Sequence, residues 1–157
     1  MSDLTEPLVL HVEDNVDDEM LVKRALRSGV PNNTLIAARD GREANGYLFE
    51  GKVLGGLSEH RLPNLIILDL KLPIMGGIEI LEKVRSTEAT KHIPVVILTS
   101  SDEARDIEKC YQLGANSYVA KPVDFEKFVE SVKRIGNYWL ETNRMPWSIS
   151  TIVSALL

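Results

Sequence analysis

The sequence predicts an α/β fold, an open parallel sheet of five strands with helices on both faces. Short apolar runs alternate with helical patterns about five times along the chain. The runs are apolar almost throughout, Leu65-Ile66-Ile67-Leu68 most of all, as strands covered on both faces must be. The runs also end in polar residues able to do chemistry: Glu13 and Asp14, then Asp69, Thr99 and Lys121. In such sheets ligands sit outside the carboxyl ends of the strands, so these residues converge where a site is expected.

Leu8 to Val12 forms the first strand, and a helix from Asp17 to Ser28 follows, with Val22, Ala25 and Leu26 at helical spacing. Gly29, Pro31 and Asn32 stop it. Leu35 to Ala38 reads as a strand, Arg42 to Glu50 as a helix, and Gly51 to Pro63 as a long irregular loop. The central strand, Leu65 to Leu68, ends in Asp69; Pro73, Gly76 and Gly77 then punctuate a loop before a helix from Ile78 to Arg85. Val95 to Leu98 leads into Thr99, after which Ser101 or Asp102 caps a helix with Ala104, Ile107, Cys110 and Tyr111 on one face, closed by Gly114. Ser117 to Ala120 runs into Lys121-Pro122. Phe125, Phe128, Val129, Val132, Ile135 and Trp139 trace a last long helix, the first five of them facing the sheet. Tyr138, Trp139 and Leu140 are consecutive and point around that helix, which predicts an association surface, a two-fold homodimer built from the last helices. Residues 6–143 are read as one domain and 144–157 as a short apolar tail in which Ile149, Ile152, Val153 and Leu156 recur at helical spacing.

Composition narrows the function. The chain has 157 residues, 44% hydrophobic and 26% charged, which suits one globular domain. A single cysteine, Cys110, excludes an internal disulfide and reads as an inert buried thiol. Met1 to Pro7 carries Asp3 and Glu6 with no basic residue, unlike a secretory signal, and the longest uncharged stretch has 13 residues where a membrane span needs about 20. A cytoplasmic protein with no membrane segment is expected. The net charge of -5 and the absence of any Lys/Arg block argue against direct nucleic-acid binding. Seven acids precede the first cation, Lys23, which implies an acidic site near the start.

Glu13, Asp14 and Asp69 close together would repel one another unless a cation offset them, and hard oxygen donors suit Mg²⁺. Such a cation screens an incoming phosphoryl group, so that Asp69 can act as nucleophile with Lys121 and the Thr99 hydroxyl on the transferred oxygens. Plainer readings exist for several of these residues. The acids of residues 13–19 could cap the first helix and complement its dipole, although that leaves Asp69 at the end of an apolar strand unexplained. His11 reads as a core or edge histidine. Tyr118, taken alone, reads as a packing residue with its hydroxyl at the surface, and the Lys71 side chain either lies over the acceptor and slows phosphoryl loss or points to solvent.

Taken together, Val12-Glu13-Asp14-Asn15, Leu68-Asp69-Leu70 with Pro73 and Gly76-Gly77, Leu98-Thr99-Ser100, and Gly114-Ala115-Asn116-Ser117-Tyr118 before Lys121-Pro122 resemble the receiver domain of two-component response regulators. The resemblance implies a flavodoxin-like, doubly wound sheet of order 2-1-3-4-5. It also implies Asp69 as phosphoacceptor, with Mg²⁺ on Asp14, Asp69 and the backbone carbonyl of Lys71 and with Glu13 acting through water. Thr99 and Lys121 would bind phosphoryl oxygens, Thr99 and Tyr118 would form the switch, and Lys121-Pro122 would be cis. Asp17-Asp18-Glu19, the long insertion before the third strand, and Tyr138-Trp139-Leu140-Glu141 with Pro146 resemble stand-alone receivers partnered with phytochrome-type and related sensor histidine kinases. The function implied is a single-domain, self-phosphorylating switch, not an enzyme in the turnover sense, that changes its protein contacts or relays the phosphate; only about a dozen residues after Pro146 are left for an effector. A receiver-like docking module that is never phosphorylated is the alternative. The acids at 13–17 argue against a flavodoxin, whose loop must accept a phosphate, and Lys71 stands where an aspartyl-phosphate phosphatase would carry a second acid.

Overall fold

The computed structural model describes residues 6–55, 57 and 59–146. Five strands, β1 (Leu8–Val12), β2 (Thr34–Ala38), β3 (Leu65–Leu68), β4 (Val95–Thr99) and β5 (Ser117–Ala120), pair in parallel in the order β2-β1-β3-β4-β5. Between and after them run α1 (Val16–Gly29), α2 (Gly41–Phe49), α3 (Gly77–Ser86), α4 (Ala104–Gln112) and α5 (Phe125–Gly136). This is the expected flavodoxin-like order.

Strand alternation divides the core in two. Leu8, Leu10, Val12, Ile66, Leu68, Val95 and Ile97 pack with α2, α3 and Cys110 of α4 on one face. Val9, Leu65, Ile67, Val96 and Leu98 pack with Val22, Ala25 and Leu26 of α1 and Phe128, Val132 and Ile135 of α5 on the other. The irregular segment between α2 and β3 is anchored: the Tyr47 hydroxyl donates to the Arg61 carbonyl, and Leu8 N donates to Asn64 Oδ1 at 2.8 Å. At the amino end of β4, the Arg85 guanidinium donates to the carbonyls of Ile93 (2.8 Å) and Gly114 (2.8 Å) and to Asn116 Oδ1 (2.7 Å), tying α3 to the turn that launches β5.

Several expectations need correction. The last helix is not one long α-helix: α5 stops at Gly136 and continues as a π-helical turn, Asn137–Thr142. Asn143 N donates to Tyr138 O at 2.7 Å, five residues back. The widened turn lets the consecutive Trp139 and Leu140 both pack on the α1/α5 core and leaves only Tyr138 half exposed, so less apolar surface is free for association than the spacing implied. Phe125 does not face the sheet; at the first position of α5 it is 59% exposed, and the buried stripe starts one turn later at Phe128. The α4 stripe is shallow as well, burying Cys110 while Tyr111 is exposed. Neither Ser101 nor Asp102 caps α4. Glu103 holds that position without a side-chain bond, and the Ser101 hydroxyl instead donates to Asp106 Oδ2 at 2.6 Å. The described peptide bonds are all trans, Lys121-Pro122 included, the isomer an X-Pro bond ordinarily prefers. The expected helix after Pro146 lies outside the described residues.

Candidate acidic site at the carboxyl end of the sheet

The sheet ladder continues one residue past three strands and so pins the backbone of the site. Glu13 N donates to Ala38 O at 2.9 Å, Asp69 N to Val12 O at 3.1 Å, and Lys121 N to Thr99 O at 2.7 Å. Register does the rest. Val12 pairs with Leu68, so Glu13 and Asp69 emerge side by side, and Thr99 pairs with Ala120, which sets Lys121 next in line.

Lys121 Nζ is the hub. It donates to Glu13 Oε1 at 2.7 Å, to Asp18 Oδ2 at 2.8 Å and to Asp69 Oδ2 at 3.0 Å, so three carboxylates take the three protons of one ammonium. Glu13 is 1% exposed and Asp69 6%. The charges set one another. Burial pushes Glu13 up to about 7, and the Asp69 charge adds to this against the pull of Lys121. Burial would raise Asp69 too, but the Lys121 charge and hydrogen bond outweigh it and hold that carboxyl below its ordinary value. Burial works against the Lys121 ammonium, yet its hydrogen bonds to Asp18 and Glu13 raise it overall.

Asp14, exposed, completes a set with Glu13 and Asp69 in which one carboxylate oxygen from each lies within 4.8 Å of the others. With Asp18 there are four carboxylates to one lysine, and the Asp69 charge adds to burial in raising Glu13. This all-oxygen donor set fits a small, hard divalent cation such as Mg²⁺. The capping reading does not account for it: Asn15, not Glu13 or Asp14, caps α1, accepting from Asp18 N at 3.0 Å. Glu13 Oε2 accepts from Asn15 N at 3.3 Å, leaving Oε1 for the lysine.

Thr99 lies on the side of the sheet shared with Tyr118, its hydroxyl buried without a hydrogen-bond partner and near enough to Asp69 to help lower that carboxyl. The Tyr118 hydroxyl donates to the Ser101 carbonyl at 2.8 Å, two residues beyond Thr99. Lys71 is exposed, and its backbone N approaches Asp69 Oδ1 at 3.4 Å. His11 is buried beneath the site, pushed down to about 3 by burial and the Lys121 charge, so its ring is neutral. Cys110 is buried, and burial pushes its thiol up to about 11, an unreactive state.

The loop after β3 is shaped for close approach. A Cβ on Gly77 would lie 2.2 Å from the Asp69 carbonyl oxygen, so only glycine fits there. Ile74 adopts φ 73° where Met75 N donates to Pro73 O at 2.9 Å, a γ-turn that a β-branched residue occupies at a cost of about 1–2 kcal/mol. Because Ile74 is exposed, Ile74→Asn is expected to raise stability by about 1 kcal/mol, read as a higher urea midpoint with an unchanged slope; a lower midpoint would mean the side chain is needed there.

Asp18 and Ser101 were not singled out as site residues by sequence. Asp18 had a usable signal: with Asn15 as cap it is the third helical residue, and helical side chains lean toward the amino end, here toward the strand ends.

Residues 9–133 match the family described as response regulator receiver domain. The response regulator Rcp1 of Synechocystis sp. is 36% identical over 148 residues, 93% of this chain and 99% of its own. The crystal structure of the phosphorylated cyanobacterial phytochrome response regulator RcpA superposes with a TM-score of 0.82 at 35% identity, covering 90% of this chain and 99% of that one. The Mn²⁺-bound form of Rcp1 gives 0.80 at 35% identity over 89% and 99%.

Proposed function

The chain belongs to the response regulator receiver domain family of two-component signalling, and on that premise we propose that it is a phosphoacceptor switch, charged at Asp69 by a sensor histidine kinase. The ion cluster around Lys121 carries this reading, because it pairs an ionised, buried carboxylate with a fixed cation at the sheet's carboxyl end. An Asp69 oxygen forms a bond to phosphorus as the bond from phosphorus to the donor breaks. The bonding pair stays on the donor's leaving nitrogen, which takes up a proton from solvent, so the carboxylate gives up its charge while the phosphoryl oxygens keep theirs and bring it against Asp69. Lys121 and the unpartnered Thr99 hydroxyl stabilise those oxygens. Glu13, Asp14 and Asp69, with the backbone carbonyl of Lys71, would hold Mg²⁺, whose charge would offset the repulsion between the acids and the incoming group. The Mn²⁺-bound form of the similar Rcp1 supports a divalent ion here. Acceptance and loss of the phosphate are self-catalysed; no substrate is turned over.

The same reading assigns 6–143 to the receiver and places the protein in the cytoplasm beside its kinase. Val16 and Met20 on α1 and Val123 and Phe125 after β5 are exposed, and the Asp18–Lys121 ion pair sets these segments side by side as the surface the kinase meets. Output passes through Thr99. Its hydroxyl moves toward the phosphoryl group, and Tyr118, released from Ser101, follows, changing the α4–β5–α5 face that contacts a downstream protein or phosphotransfer partner. Two copies pair through the last helix, where Tyr138 is half exposed.

The test is intact mass after incubation with Mg²⁺ and acetyl phosphate. One phosphate is expected on the parent chain, none without Mg²⁺ and none on Asp69→Asn. A gain of the same size on Asp69→Asn would refute the assignment.

A further inference from the structure

We propose that Asp18 is a positioning residue for phosphoryl transfer, holding the Lys121 ammonium in place while its other partners change; this rests on the reading of Asp69 as acceptor. Lys121 Nζ has three protons and three carboxylate partners, so a phosphoryl oxygen can reach it only when one of them lets go. Asp69 is the one that lets go, since its carboxylate becomes an acyl phosphate and loses its charge. Glu13 belongs to the group suited to a cation, which competes for the same carboxylate. Asp18 has neither commitment.

Its geometry suits that role. Asp18 sits in the first turn of α1, a helix fixed against α5 and the sheet by Val22, Ala25 and Leu26. The usual task of a third-position acid, reaching back to the cap N–H, is taken here by Glu13 Oε2 on Asn15 N. Neighbouring Glu19 is occupied with Arg39 at 3.3 Å. Asp18 is therefore free to hold the lysine, and its side chain is only 25% exposed, which limits competition from water. A lysine tethered this way stays aimed at the acceptor, whereas an untethered four-carbon stem samples many rotamers.

The experiment compares the parent chain with Asp18→Ala, Asp18→Asn, Lys121→Ala and the Asp18→Ala/Lys121→Ala double variant. Mg²⁺-dependent phosphate uptake from saturating acetyl phosphate is read by intact mass. Asp18→Ala is expected to slow the maximal rate roughly 10- to 100-fold with the half-saturating donor concentration unchanged, and Asp18→Asn to fall between. In the Lys121→Ala background, removing Asp18 should cost nothing further, because the aspartate acts through the lysine. A second readout needs no donor or metal: the Lys121 ammonium ¹⁵N–¹H signal should be visible in the parent and exchange-broadened in Asp18→Ala. Equal slowing in both backgrounds, or an unchanged rate or signal in Asp18→Ala, overturns the proposal. If the parent takes up no phosphate, the function proposed above fails; if it does while Asp18→Ala matches it, only this inference fails.

Discussion

Lys121→Ala is expected to destabilise the metal-free protein by about 3–5 kcal/mol at pH 8, the usual cost of removing one partner from a buried ion cluster. For a chain of this size that lowers the melting midpoint by about 10 °C. The lysine is the shared partner of Glu13, Asp18 and Asp69 at 2.7, 2.8 and 3.0 Å, and without it three carboxylates face one another with Asp14 nearby. The penalty should shrink toward pH 5. Glu13 titrates at about 7 with the lysine in place and is still higher without it, so acid neutralises one of the repelling charges. Millimolar Mg²⁺ should recover part of the loss at pH 8 by supplying the missing positive charge. Thermal melts at pH 5 and pH 8, with and without Mg²⁺, measure this. A loss equal at both pH values and indifferent to Mg²⁺ would mean that Lys121 stabilises by packing its stem, not by neutralising the cluster.

The sheet was legible because β1, β3 and β4 are buried throughout and so read as apolar runs bounded by polar residues; Leu65–Leu68 matches the structure end to end, as does the half-exposed edge strand Ser117–Ala120. Asp69 was legible for the same reason, since a carboxylate against such a run has no packing explanation, and Lys121 was legible from its place in line with the other strand ends. Less legible were features decided by tertiary geometry. Helical periodicity assigns Phe125 to the core, but periodicity does not say at which turn a helix first meets its core, here Phe128. Three consecutive residues at 138–140 signalled a conflict between helix and core, and the chain resolves it with a π-helical turn that no residue pattern announces. Asp18 was hidden among acids that complement a helix dipole; its third position after the Asn15 cap was the one local clue, and its contact with a lysine 103 residues away is what separates it from Asp17 and Glu19.

Metal-free stability is expected to be nearly level between pH 4.5 and 6.5, and two single replacements should tilt it in opposite directions. Glu13 carries a folded value of about 7 against an ordinary 4.5, so the folded state holds a proton that the unfolded chain has released; its contribution is full below 4.5 and is lost as pH rises through 7. His11 is the reverse. Its folded value of about 3 lies below the ordinary 6.5, so the unfolded chain binds the extra proton and stability is lost as pH falls from 6.5 toward 3. Across the shared window each slope approaches about 1.4 kcal/mol per pH unit, and they cancel. Lys121 is raised, and its contribution is lost only on the alkaline side. Asp69 is held low, and its contribution is lost only in stronger acid. Glu13→Gln should therefore leave the histidine slope, with stability rising about 2–3 kcal/mol from pH 4.5 to 6.5, and His11→Phe should leave a fall of similar size. Urea denaturation at four pH values across the window reads both. Saturating Mg²⁺ should make the parent follow Glu13→Gln, because a cation beside Glu13 favours its ionised form against the burial that raises it. Parallel curves for the two variants would show that these groups do not set the pH dependence.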